Sequence, residues 1–127
     1  MASFLSDSIL DNGLSHLTNN GDAIYITSAL STTYTAATST NALGYKTSIS
    51  IGSPADRTDT GNGRKVTVPS ISGGTVSATG TASHYAIVDT ANSAVLAAGT
   101  LTSSQSVTSG NTFSIPTSFD IGIPDAT

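Results

Sequence analysis

Not one of the 127 residues is glutamate, and only Lys46 and Lys65 are lysine. Those two residue types are what the wet faces of helices are commonly built from. Without them, long solvated helices have little to be made of. Serine and threonine fill the surface instead, together 42 of 127 residues. Threonine, branched at Cβ, suits a pleated, half-buried surface better than a helix. The chain therefore reads as mainly β before any motif is sought. Its length fits a single domain over 1–127.

Apolar spacing divides that domain. Residues 2–18 hold the one helical pattern, with Leu5, Ile9, Leu10, Leu14 and Leu17 forming a broad stripe. Ser3 or Ser6 caps its start, Asp7 favours the first turn, and Gly13 breaks or kinks it. Asn19-Asn20-Gly21-Asp22 is a turn. A β domain over 23–127 follows. Ile24 and Ile26 alternate with Tyr25 and Thr27, and Ile49 and Ile51 alternate with Ser48 and Ser50. Between them, 31–44 is almost all Ser, Thr, Ala and Asn, a loop or an extended arm. Residues 53–64 read as a long loop.

Beyond Arg64 the pattern is wholly β. Val66 and Val68 share a face, and a strand follows the Gly73-Gly74 turn. "SHYAIVD" and "AVLAAGTL" flank a hairpin loop at Thr90–Ser93. Residues 102–110 form a polar turn region. "TFSI" is a strand that Pro116 ends or confines to an edge, and Phe119, Ile121 and Ile123 alternate in the last strand. Short strands at this spacing give a small antiparallel β-sandwich or barrel with a short N-terminal helix. No internal repeat is present.

Eight aspartates face four basic residues, a net charge of −4. Nucleic-acid binders cluster Lys and Arg, so a phosphate-binding surface is not expected. Low charge also leaves few devices against association, as on a surface meant to be covered. The absence of cysteine excludes a disulfide scaffold, a thiolate zinc site and a cysteine nucleophile. No basic, apolar leader is seen at the N-terminus, and no window has the roughly 18 apolar residues of a membrane span. A soluble protein made in a cytosol is the expectation.

"SHYAIVD" holds a serine, a histidine and an aspartate within seven residues. A triad needs the histidine to touch both partners. On a strand, His84 and Asp89 lie on opposite faces and roughly 16 Å apart, and Ser83 faces away from His84. A structural or interface role for His84 is the expectation. His16 has Asp11 and Asn20 at poor spacing for a metal. Asp56, Asp59 and Asn62 are oxygen donors in one loop, yet lack the alternate spacing and terminal Glu of an EF-hand. An irregular calcium site there stays open beside a plain solvated turn. Gly61-Asn62-Gly63-Arg64-Lys65 lacks the spacing of a phosphate loop, and Arg64 and Lys65 are expected to meet an acidic partner surface. Tyr85 faces either a partner or the core. No catalytic, cofactor-binding or metal residue is assigned, and no cofactor is expected.

Four stretches carry a resemblance: "TTYTAATSTNALGYKTSISIGSPADR", "GRKVTV", "GTASHYAIVDTANSAVLAAGTL" and "SSQSVTSGNTFSIPTSFDIGIPDAT". They resemble a family of short proteins encoded among the structural genes of tailed bacteriophages. The likeness runs from about residue 2 to the C-terminus, strongest in "GTASHYAIVDT", "VTSGNTF" and "FDIGIPD", which are fold motifs without a catalytic signature. The resemblance implies a virion protein rather than an enzyme. The favoured role is a capsid decoration, or cement, protein that binds the outside of the shell as a homotrimer, with the major capsid protein as partner and no nucleic acid or membrane. Both termini and 31–44 are then candidate arms. The alternative is a tail or fibre component with an adsorption or carbohydrate-binding role. A hydrolase using His84 or His16 is the third option.

Overall fold

The computed structural model describes residues 6–57 and 63–124. Helix α1 (Asp7–Asn20) is followed by β1 (Ala23–Thr27), a π-helical turn (Ala36–Thr40), β2 (Ala42–Thr47), β3 (Ala55–Asp56) and β4 (Gly63–Val68). Then come β5 (Ile71–Val76), β6 (Gly80–Asp89), β7 (Ala94–Val107), β8 (Thr112–Ile115) and β9 (Phe119–Pro124). Six strands form one antiparallel sheet in the order β7-β6-β1-β2-β5-β8, curled into a half-barrel. A second sheet has the order β3-β4-β9. The mainly β fold with one short α-helix expected from the composition is the fold observed.

One apolar core joins the two sheets and the helix. Leu14 and Leu17 of α1, Ile24 and Ile26 of β1, Val66 and Val68 of β4, and Ile87 of β6 belong to it. On α1 the buried stripe is Leu10, Leu14 and Leu17, while Ile9 is 58% exposed. The buried stripe is thus narrower than the apolar spacing predicts, and Leu5 lies outside the described residues. Gly13 does not break the helix, which runs on to Asn20 because Leu14 and Leu17 anchor the turns beyond it. The expected turn begins only at Gly21. There an added Cβ would stand 2.8 Å from the Leu17 carbonyl oxygen, so the close passage requires glycine.

The segment 31–44 is no extended arm. Thr27 and Ser31 hydroxyls both donate to the Ala29 carbonyl, at 2.8 and 3.0 Å, and the Asn41 amide donates to Ser31 Oγ at 3.1 Å. These bonds fold the segment over the outer face of β1, where Ala37 is fully buried. Ala37 packs there with Ala23, Ala86 and Val88, a second small core. β1 is thus buried on both faces, with Ile24 and Ile26 inward and Ala23 outward.

Several boundaries also move. β2 ends at Thr47, and Ser48 turns the chain with φ 57°, so Ile49 and Ile51 reach the core from a loop and not from a strand. β3 lies inside the expected loop 53–64. Gly73 and Gly74 sit within β5 instead of before it. The register there shifts between Ile71 and Gly74, and Gly73 takes φ +68°. Phe113 of β8 covers Gly74 so closely that an added Cβ would lie 2.3 Å from its ring. β7 does not stop near Leu101 but continues to Val107, leaving the turn to 108–111.

Candidate functional site

Both ends of the curled sheet border one cleft of about 490 Å³. Among the described residues β7 and β8 are the end strands, each paired on one side only. The floor is apolar: Ile26, Tyr85, Leu101, Val107, Phe113 and Phe119. The rim is hydroxyl and amide, from Thr102, Ser103, Gln105, Ser114, Thr117 and Ser118. Concave sites of a few hundred Å³ with an apolar floor and a sparse polar rim are the ordinary form of a binding site.

A long bulge sets this shape. β6 and β7 pair Ala82 with Gln105 and then His84 with Thr100. Ser83 alone thus stands opposite residues 101–104. Such an insertion bends the strand and takes its backbone out of the ladder. Tyr85, one residue further along β6, lies on Gly99 of β7, where a Cβ would come within 2.9 Å of the ring. The absence of that Cβ leaves room for the ring, which meets Phe119 at a tilt of 52° with centroids 4.8 Å apart. Burial pushes the Tyr85 hydroxyl pKa up. Among the described residues that hydroxyl makes no hydrogen bond. Tyr85 was open between core and partner; it is half-buried in the wall of a cleft.

The same bulge overturns one expectation. Ser83 Oγ is 2.7 Å from His84 Nδ1, so the two side chains do meet. Alternation of faces fails at a bulge, which is the physical reason. Ser83 Oγ also donates to the Ser28 carbonyl at 3.1 Å. The Ser28 carbonyl therefore competes with His84 for the one hydroxyl proton of Ser83. Asp89, 3% exposed, is occupied elsewhere. It accepts from the backbone N–H groups of Ala91 and Asn92 at 3.1 and 3.3 Å and from Asn92 Nδ2 at 2.7 Å. It is the organiser of the hairpin turn. Beside it, the Thr90 hydroxyl donates to Asp22, and this bond chiefly holds the Asp22 pKa below its usual value.

Charge gathers around β4. Arg64 of β4 donates to Asp11 of α1 through Nε at 2.7 Å and Nη2 at 3.1 Å, and to Asp56 of β3 through Nη1 at 2.6 Å. These two carboxylates raise the arginine pKa further. Lys65 pairs with Asp120 of β9 at 3.1 Å, and Thr67 donates to the same carboxylate at 2.7 Å. Arg64 and Lys65 therefore pair within the chain. The reason is the antiparallel register of β4 and β9, which sets Thr67 opposite Asp120. His16 is exposed, with Asn20 Nδ2 donating to its carbonyl at 2.9 Å and Asp11 turned to Arg64. Of the calcium candidates, Asp56 is held by Arg64, while Asp59 and Asn62 lie outside the described residues. Among the described residues no group of three metal-ligating acids or histidines occurs, and no helix is long and apolar enough to cross a membrane.

The cleft itself was missed by the sequence reading. Its signal was present: from Thr90 to Phe119 no residue carries a charge. A third feature lies on the outer face, where Tyr25 and Tyr45 pair across β1 and β2 with rings 5.8 Å apart and Tyr45 37% exposed. Comparison with family models, curated proteins and solved structures finds no match to this chain.

Proposed function

We propose that the protein is a structural component of a tailed-phage particle that binds the outside of the capsid shell and stabilises it. The observation that carries this reading is the uncharged β7–β8 side of the molecule, exposed hydroxyl and amide groups around an apolar cleft. Covering such a surface costs less than covering a charged one, because no ion must leave water and its hydroxyls and amides need only find new hydrogen-bond partners. Around β4 the charged side chains pair within the chain, Arg64 with Asp11 and Asp56 and Lys65 with Asp120. The resemblance to phage structural-gene proteins supports the same role.

Binding confined to the intact shell would stabilise it by linkage, since a ligand of one state draws the equilibrium toward that state. A homotrimer at threefold positions fits the symmetry of such a shell, and three modest contacts add through multivalency. The major capsid protein is the partner in this reading, and the capsid surface the location, after synthesis in the host cytoplasm. No catalysis is involved.

Copy number tests the proposal. Quantitative mass spectrometry of purified particles, scaled to the major capsid protein, should give hundreds of copies in fixed ratio to the shell. Absence from the particle would refute a structural role altogether. A few to a few tens of copies would instead favour a tail or fibre component with an adsorption role. The tilted, partly exposed Tyr25–Tyr45 pair is the observation that speaks for that second reading, because sugars pack on open aromatic faces.

A further inference from the structure

The two ends of the six-stranded sheet are not equally protected. An end strand presents a row of unpaired N–H and C=O groups, and proteins blunt such edges with short strands, Lys, Pro or a covering element. β8 is four residues long and stops at Pro116. β7 is fourteen residues long and contains neither a charge nor a proline. Its second half, from Thr102 to Ser106, is exposed throughout. Residues 101–104 of that half have only Ser83 opposite them, so their backbone is poorly matched by the ladder.

We infer that the cleft receives an extended, uncharged peptide segment of another polypeptide, which adds as a strand along β7. Added strands gain affinity from main-chain hydrogen bonds and specificity from alternate side chains that enter pockets. Both are available here. The free edge of β7 supplies the backbone groups. The floor around Tyr85, Phe113 and Phe119 takes every second side chain, while the others face solvent. The Tyr85 hydroxyl, unpaired among the described residues, is a polar handle within the cleft.

Charge selects the occupant. Among the described residues the only charged one lining the cleft is Asp120, already engaged by Lys65 and Thr67. A charged side chain carried into the cleft would lose water and find no counter-ion, a cost a segment of Ser, Thr, Val and Ala avoids. This site does not depend on which particle, if any, the protein joins.

The test uses the full chain and a dye-labelled synthetic peptide of alternating Thr and Val, followed by fluorescence anisotropy. Ser103 and Gln105 line the cleft, whereas Ser104 and Ser106 between and beside them do not. The wild type should bind the peptide saturably. Ser103→Lys with Gln105→Lys should weaken binding about tenfold or more, the scale of desolvating a charge. Ser104→Lys with Ser106→Lys, the same charge on the other face, should leave it within about twofold. A peptide with Lys at the Val positions should not bind. No saturable binding by the wild type overturns the proposal, as does equal loss in both double variants. Light scattering on the protein alone completes the test. Self-association that Ser103→Lys with Gln105→Lys abolishes would show a second copy in the cleft, and the proposal would be wrong.

Discussion

Around Arg64 three elements are tied together by charge, whereas around Tyr85 three elements meet with no charge between them. At the Arg64 corner, α1, β3 and β4 are joined by one guanidinium and two carboxylates, and Lys65 joins β4 to β9. At the cleft, β6, β7 and β9 meet through Tyr85, Gly99 and Phe119. Charge pairs specify which surfaces meet and discourage others. Apolar contact with a hydroxyl rim specifies less and desolvates easily. The corner is thus where the chain fixes its own parts, and the cleft is where it can still accept a strand.

The largest difference should come from the floor of the cleft. Phe113→Ala removes a ring that is buried and closes over Gly74. Urea unfolding should show a loss of about 3–5 kcal/mol, the usual cost of emptying an aromatic core site. That loss should be the same at low salt and in 1 M NaCl. At the corner, Asp11→Asn keeps the shape and removes the charge facing Arg64. Its cost should be smaller than that of Phe113→Ala and should shrink in 1 M NaCl, where the screening length falls to about 3 Å. A salt-independent cost would mean the corner is held by packing, and the comparison would fail.

Gly13 offers the opposite sign. It is exposed in the middle of α1, and an added Cβ would meet only Ile123 Cδ1 at an ordinary 3.7 Å. Gly13→Ala should therefore stabilise by about 0.5–1 kcal/mol in the same unfolding assay.

Smaller still is the hairpin contact between Thr90 and Asp22. The folded-state pKa of Asp22 lies below its unfolded value, chiefly through the Thr90 hydroxyl. The bond therefore contributes fully above the unfolded pKa, near 4, and is lost as pH falls through the folded value. Thr90→Val should cost about 0.5 kcal/mol at pH 7, given the solvent exposure of the pair, and nearly nothing at pH 2. The reverse order would show that Thr90 acts through packing. Least affected should be Ser103→Lys with Gln105→Lys, within about 0.5 kcal/mol of wild type as exposed positions usually are. A larger loss there would mean that the rim is part of the core.

Much of the fold was legible because it rests on local alternation. Ile24 and Ile26, Val66 and Val68, and the closing series Phe119, Ile121, Ile123 each mark a strand face that the structure buries or half-buries. The hairpin at 90–93 was legible from its turn residues. Segment 31–44 was not, since a run of small polar residues has no periodicity. Its conformation rests on side-chain bonds from Thr27, Ser31 and Asn41. Likewise the extent of β7 was hidden, because Thr, Ser and Gln suit a turn and an edge strand equally well.

By itself the sequence determined the class of the protein. With no glutamate and a third of its residues Ser or Thr, it could bury surface economically only through pleated strands and one helix held by leucines. It also determined that the stretch from Thr90 to Phe119 would be neutral. Tertiary structure alone decided what those facts amount to. Only the β6–β7 register, with Ser83 set against residues 101–104, brings Ser83 to His84 and opens the cleft beside Tyr85. Only the curl of the sheet carries β7 and β8 to the same cleft. A period of two tells which face a residue takes; it does not tell where the ladder slips or which strands end the sheet, because both are set by contacts distant in the chain.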